Sequence, residues 1–226
     1  MLKRVFDIFV SLVSICVLAV PLALVALVIR IVDGSPVFYR QLRIGRNGKP
    51  FWFYKFRTMK VSVEGSSVTV KGDPRVTWLG QIVRRWKLDE LPQLWNILRG
   101  DMGIIGPRPE AERLVRQYTP EQCRVLEITP GLAGMSQLVY PHEPEMLRRC
   151  RDPEQFYVRE LMPRKIAVDL EYERARTFLT DLRLLVELVL LIVFGRSRHI
   201  QHDLEACAAA EDKLEAAAKA EQLNTL

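Results

Sequence analysis

Between Ile8 and Ile29 the chain carries no charged residue, a run of 22 residues. As a helix rising 1.5 Å per residue, such a run reaches about 33 Å, enough to cross a hydrocarbon core of roughly 30 Å. A surface helix of a water-soluble domain needs a polar face, and this segment offers none. It is therefore predicted to enter a membrane. A cleaved signal peptide fits less well, because the run is longer than an h-region and no small-x-small cleavage pattern stands before the polar chain.

Two features argue against a plain span. Pro21 falls in the middle of the run, where it removes a helix hydrogen bond. Basic residues flank both ends: Lys3 and Arg4 before it, then Arg30, Arg40, Arg43 and Arg46 after it. If Lys and Arg mark the cytoplasmic side, both flanks make the same claim. A re-entrant helix-break-helix over residues 1–33, with Pro21 as the membrane break, satisfies both. An ordinary kinked span is the alternative that residue physics leaves open.

Past the Asp33-Gly34-Ser35-Pro36 breaker the chain becomes soluble in character, and no Asp or Glu occurs from Ser35 to Lys60. Seven cations there interleave with Phe38, Tyr39, Phe51, Trp52, Phe53, Tyr54 and Phe56. Phe51 to Phe56 reads as a strand and Asn47-Gly48 as the tight turn before it. Basic-aromatic interleaving suits single-stranded nucleic acid, where bases stack on rings. It equally suits a membrane surface, with aromatics at headgroup depth and cations on anionic lipid. Beside an apolar anchor the membrane reading is preferred, with inner-membrane lipid as partner and no nucleic acid. A membrane-anchored nucleic-acid-binding protein is the rival.

The net charge of +6 favours anionic partners. Four scattered cysteines, without a C-x-x-C pair, predict neither a disulfide framework nor a zinc site. His199 and His202 have no acidic or thiol companions at ligand spacing and read as solvated. Val61 to Gly72 is Gly/Ser-rich and β-branched, a predicted loop or hairpin. Leu182 to Phe194 is apolar, too short to span, and predicted to be an interfacial helix.

The densest chemistry lies in Arg84-Arg85-Trp86-Lys87-Leu88-Asp89-Glu90-Leu91-Pro92-Gln93-Leu94-Trp95-Asn96. Leu91, Leu94, Trp95 and Leu98 recur at helical spacing, with Asp89 as candidate N-cap and Gly100 at the C-terminal stop. By helix statistics alone, Asp89 and Glu90 are a cap and a first-turn acid. With Arg84, Arg85 and Lys87 just upstream, positive charge and the helix dipole are expected to hold Asp89 ionised, which suits a carboxylate nucleophile or a hard-cation ligand. Further on, Pro107-Arg108-Pro109 fixes the backbone of one arginine, a rigid presentation suited to bidentate phosphate.

These segments, together with Pro36-Val37-Phe38-Tyr39-Arg40-Gln41, Arg43-Ile44-Gly45 and Tyr54-Lys55-Phe56-Arg57-Thr58-Met59, resemble the bacterial sugar transferases, the monotopic phosphoglycosyl transferases, in their short form. The resemblance runs over about residues 1–195 with several motifs in the same order. It implies an α+β, mostly helical fold: the re-entrant membrane hairpin (1–33) and a small cytosolic, membrane-associated catalytic domain with interfacial amphipathic helices (34–200); beyond it, Ala-rich sequence with Glu/Lys spacing reads as a polar helical or disordered tail (201–226). It implies transfer of a phospho-sugar from a UDP-sugar to polyprenyl (undecaprenyl) phosphate with release of UMP, at the cytoplasmic face of the bacterial inner membrane, to initiate glycoconjugate assembly. Carried over residue by residue, Asp89 is the nucleophile that becomes an aspartyl-phosphosugar. Glu90 is its dyad partner, both stand at the Mg²⁺, and Arg57, Arg84, Arg108 and Gln137 bind substrate. Two positions depart from the family pattern. Val20-Pro21 stands where a Ser-Pro break is common, and Ala133 replaces the hydroxyl residue of the Pro130-Gly131-x-x-Gly134-x-x-Gln137 motif. The sugar, the pathway and whether the chain forms a homo-oligomer are not encoded in these motifs.

Overall fold

The computed structural model describes residues 2–61 and 68–194. Residues 62–67 of the Val61 to Gly72 segment, His199, His202, Cys207 and the 201–226 tail lie outside the described residues.

The apolar N-terminal run is one helix, α1 (Leu2–Val32), and Pro21 lies inside it. The helix-break-helix expected at Pro21 does not appear as two elements. A proline removes a single hydrogen bond, and the helical ladder on either side closes over that loss. Phe9, Val17, Val20 and Ile31 on α1 are all exposed by more than half, so the middle of the helix has little protein cover.

Both ends of α1 are nonetheless tied to the rest of the chain. Near the start, Lys3 Nζ donates to Ile105 O at 3.0 Å, Arg4 donates to Ile97 O and Leu98 O, and Asp7 accepts from Ile104 N. At the other end, Asp33 accepts from Thr77 Oγ1 at 2.8 Å and its carbonyl accepts from Arg57.

The basic-aromatic segment forms an antiparallel hairpin, β1 (Phe38–Ile44) and β2 (Pro50–Phe56), registered from Phe38 opposite Phe56 to Ile44 opposite Pro50. Its turn puts Asn47 and Gly48 at φ 58° and 71°, the left-handed region that these two residues tolerate. Strand alternation sends Phe51 and Phe53 into the core and leaves Trp52 exposed. With Phe51, Phe53 and Phe56 buried, three of the five aromatics of β2 are core rather than stacking platforms for bases.

Next come α2 (Trp78–Arg85), capped by Thr77, and a 3₁₀ turn over Leu88–Glu90. Then follow α3 (Gln93–Arg99), β3 (Gly103–Ile105), α4 (Glu112–Val115), β4 (Gly131–Ala133) and α5 (Met135–Val139). The chain continues through α6 (Glu143–Arg149), α7 (Pro153–Phe156), a π turn over Tyr157–Leu161, α8 (Met162–Ala175) and α9 (Phe178–Phe194). Strands β3 and β4 form a short parallel pair. Helix α9 begins earlier than Leu182 and runs 17 residues, with Leu184 and Leu188 buried and Leu179, Val189 and Phe194 exposed.

A central cluster gathers Phe51, Phe53, Leu94, Ile97, Met102, Ile104, Leu184 and Leu188, with Phe6 and Val10 of α1 packed against it. A second joins α4 to α8 through Leu147, Phe156, Leu161 and Met162. A third packs Ile29 of α1 against Phe56, Leu79 and Val83. The fold is α+β and mostly helical, and Cys16, Cys123 and Cys150 are free thiols.

Candidate active site

The stretch from Arg84 to Asn96 does not start a helix at Asp89. Lys87 takes a left-handed conformation (φ 56°), Leu88–Glu90 form the 3₁₀ turn, and α3 begins three residues later behind Pro92. Proline at 92 lacks the N–H needed to continue a ladder from the turn, so turn and helix stay separate. Asp89 and Glu90 are thus presented side by side on a tight turn, both almost fully buried.

The two carboxylates have different surroundings. Glu90 Oε1 accepts from Lys55 Nζ at 3.0 Å and from Arg108 Nη2 at 2.7 Å, and Oε2 accepts from Arg108 Nη1 at 3.3 Å. Burial alone would raise its pKa, but the Arg108 and Lys55 charges overcome burial and hold it well below the usual carboxylate range. Asp89 Oδ2 lies 3.9 Å from Lys55 Nζ, while its Oδ1 is buried with no hydrogen-bond partner. Burial raises the Asp89 pKa, and Lys55, Lys87 and Arg84 only partly oppose it. The cations expected beside Asp89 are present, and burial is the larger effect on where its carboxyl titrates.

Lys55, on the inward face of β2, was not singled out by the motif reading. Burial lowers its pKa to about 8, with Glu90 pulling it back up and Arg108 pushing it down. The signal was a cation at the same strand parity as Phe51 and Phe53, on the buried face.

Arg108 is placed by β3 and β4. Gly106 N donates to Ala133 O, Gly131 N to Pro107 O, and Arg43 Nη1 to Pro109 O, so the backbone on each side of the arginine is pinned. Arg84 donates through Nε to Thr58 Oγ1 at 2.8 Å, and its charge is felt by Asp89. Lys55, Arg84 and Arg108 therefore gather around the dyad.

The other two expected substrate ligands make backbone contacts. The Arg57 guanidinium donates to the carbonyls of Asp33, Gly34 and Ser35 and fastens the end of α1. Gln137 accepts from Gly134 N at 3.3 Å, as a cap of α5. One turn beyond the dyad, Gln93 is wholly buried with both amide atoms unpaired.

The donor set fits a hard cation. Mg²⁺ takes oxygen ligands and is commonly held by one or two carboxylates plus substrate phosphates. The unpaired Oδ1 of Asp89 is such an oxygen, and Glu90 is adjacent. No group of three or more His, Cys, Asp or Glu among the described residues is arranged to hold a metal, so the remaining ligands would be substrate and water oxygens. A carboxylate with one unpaired oxygen, set among cations, is equipped to attack an electrophilic, negatively charged group such as a diphosphate.

The profile of the bacterial sugar transferase family matches residues 1–195, and the chain belongs to that family. It is 39% identical over 137 residues to an uncharacterized sugar transferase of Bacillus subtilis, EpsL, covering 61% of this chain and 68% of that protein. It is 43% identical over 146 residues to an exopolysaccharide production protein of Rhizobium leguminosarum, covering 61% and 73%. With the UDP-glucose:undecaprenyl-phosphate glucose-1-phosphate transferase of Caulobacter vibrioides the identity is 36% over 192 residues, covering 83% and 68%.

Proposed function

We propose that this chain, a phosphoglycosyl transferase, moves a sugar 1-phosphate from a UDP-sugar to a polyprenyl phosphate, with undecaprenyl phosphate as acceptor, in exopolysaccharide or related glycoconjugate synthesis. The observation that carries the reading is the division of the dyad. Glu90 is neutralised by Lys55 and Arg108, while Asp89 keeps a buried, unpaired oxygen. Membership of the family and the names of the relatives supply the substrate class.

In the first step an Asp89 carboxylate oxygen attacks the β-phosphorus of the UDP-sugar. The bond from that phosphorus to the bridging oxygen breaks, and UMP leaves with the electron pair. The phospho-sugar is now an acyl phosphate on Asp89. In the second step an oxygen of the polyprenyl phosphate attacks the same phosphorus, Asp89 is released, and the product is a polyprenyl diphosphate sugar. Mg²⁺, held by Asp89 and Glu90 together with substrate oxygens, would supply charge neutralisation at the diphosphate. Arg108 and Lys55 offer N–H groups to the phosphate oxygens, and Glu90 keeps both in place between turnovers. Low exposure of the dyad excludes water, which would otherwise hydrolyse the acyl phosphate.

The ties at both ends of α1 to one catalytic domain support a re-entrant arrangement, with that domain at the cytoplasmic face where UDP-sugars are found.

The test is to incubate the purified chain with a panel of UDP-sugars and Mg²⁺ without acceptor. One phospho-sugar should appear on the peptide containing Asp89, and UMP release should become catalytic once undecaprenyl phosphate is added. A ternary-complex rate law with no adduct would overturn the covalent route.

A further inference from the structure

Phe53 is 1% exposed, and three cations from three different segments crowd its ring. Arg43 Cζ and Lys55 Nζ each lie 5.4 Å from the ring centroid, and Arg108 Cζ lies 6.0 Å away. Lys55 follows two residues later on the same face of β2. Arg43 comes from β1, where Gln41 is directly opposite Phe53 and Arg43 is the diagonal neighbour. Arg108 comes from the loop after β3.

Core packing alone does not require an aromatic ring here. Phe51, Leu94, Ile97 and Met102 share its apolar cluster, and a leucine would keep an apolar side chain there at the cost of a small cavity. Three like charges held around one point repel one another, and the carboxylates of Asp89, Glu90 and Glu110 offset that repulsion. Glu90 pairs with Lys55 and Arg108, and Glu110 pairs with Arg43 at 3.2 Å. The negative face of a buried ring supplies attraction that no aliphatic side chain can.

We propose that Phe53 is a positioning residue for the transfer reaction: its ring holds Lys55 and Arg108 together on one side of Glu90, with Arg43 braced behind them. The inference rests on the function proposed above. The consequence is preorganisation. When a diphosphate enters, both cations are already aimed at it, and neither must be drawn back against the repulsion of the other.

The experiment replaces Phe53 in the full chain by 4-fluoro-, 3,5-difluoro- and 3,4,5-trifluorophenylalanine, alongside Phe53→Leu. Fluorination drains the negative face of the ring while almost preserving its shape. Rates of UMP release from a UDP-sugar and undecaprenyl phosphate are compared well below the melting temperature. The logarithm of kcat/KM should fall stepwise along the series, by about tenfold or more in total, the worth of a desolvated cation–π contact. Phe53→Leu should match the trifluoro ring. A flat series in an active enzyme overturns the proposal, as does a fall in melting temperature with kcat/KM unchanged, because the ring would then serve the fold alone. If Phe53→Leu fails to fold, the fluorinated series still decides. A wild-type chain that releases no UMP overturns the functional reading, and this inference with it.

Discussion

Arg108 carries two tasks that pull in different directions. Its guanidinium forms a two-bond clamp on Glu90, and in the proposed reaction the same fork must reach phosphate oxygens. Lysine keeps the charge and loses the fork. Each charge-assisted hydrogen bond is worth about 1.5–3 kcal/mol, so Arg108→Lys should lower kcat/KM by roughly ten- to a hundredfold. Because Glu90 is buried and would keep one bond fewer, the variant should also lose about 1–2 kcal/mol of stability. Steady-state kinetics at saturating Mg²⁺ and a thermal melt in detergent check the two halves, and full activity would remove Arg108 from the site. Sequence spacing made Asp89, Glu90 and Arg108 legible, because each stands in a short segment whose local pattern fixes its backbone. Arg57 and Gln137 also make backbone contacts that no motif announces. Their partners, the 33–35 carbonyls and Gly134 N, depend on how distant or folded-back backbone arrives, and no local pattern encodes that. A buried aspartate with an arginine two residues away offers a pH test at this scale. Hydrogen bonds from Arg75 to Asp73 hold the Asp73 carboxyl below the usual carboxylate value, against the opposing effect of burial. A carboxylate with a depressed folded pKa stabilises the fold above its unfolded value and loses that contribution as pH falls through the folded one. Asp73→Asn should therefore lower the melting temperature at pH 7, with the gap to wild type closing as the pH drops below about 4; a gap independent of pH would mean that the charge is idle.

At the scale of elements, the placement of Arg108 depends on two strands of three residues each. In the β3–β4 pair, a Cβ on Gly106 would meet Thr129 O at 2.4 Å, and one on Gly131 would meet Gly106 N at 2.1 Å. Neither neighbour is a flexible side chain, so the backbones themselves would have to part. Gly106→Ala and Gly131→Ala should each destabilise the protein by about 3 kcal/mol or more, with activity falling in step as the Pro107-Arg108-Pro109 loop moves. Gly48→Ala is the control. Nothing lies within 4 Å of a Cβ there, and only the left-handed φ of 71° opposes it, for a cost of about 1 kcal/mol. Melting temperatures of the three variants should separate accordingly, and equal losses would show that close approach of β3 and β4 is unimportant. The hairpin and α3 were readable from the sequence, since alternation and helical spacing extend over seven residues in each. The β3–β4 pair was not, because three residues carry no period and its pairing joins segments about thirty positions apart.

For the whole molecule, the open matter is how a helix of 31 residues sits in a bilayer while serving a site built from buried charge. Composition announced the apolar run, and the basic flanks suggested that both its ends lie on one side. The folded chain adds independent ties. Lys3 and Arg4 bond the carbonyls of Ile105, Ile97 and Leu98, while Asp33 is held by Arg57 and Thr77. A helix crossing the bilayer would carry one of these ends to the far side, and one set of bonds would be lost. The unpaired charges and carbonyls left behind would cost several kcal/mol in an apolar setting. Dipping α1 into one leaflet would keep both sets and would still place the exposed Phe9, Val17, Val20 and Leu24 in lipid. Single cysteines introduced at Lys3 and Arg46, in a chain whose own cysteines are replaced by serine, should therefore both resist an impermeant thiol reagent in intact cells. Both should react once the membrane is opened. Labelling at only one of the two positions in intact cells would establish a true span, and would require the bonds at one end of α1 to be absent in the membrane.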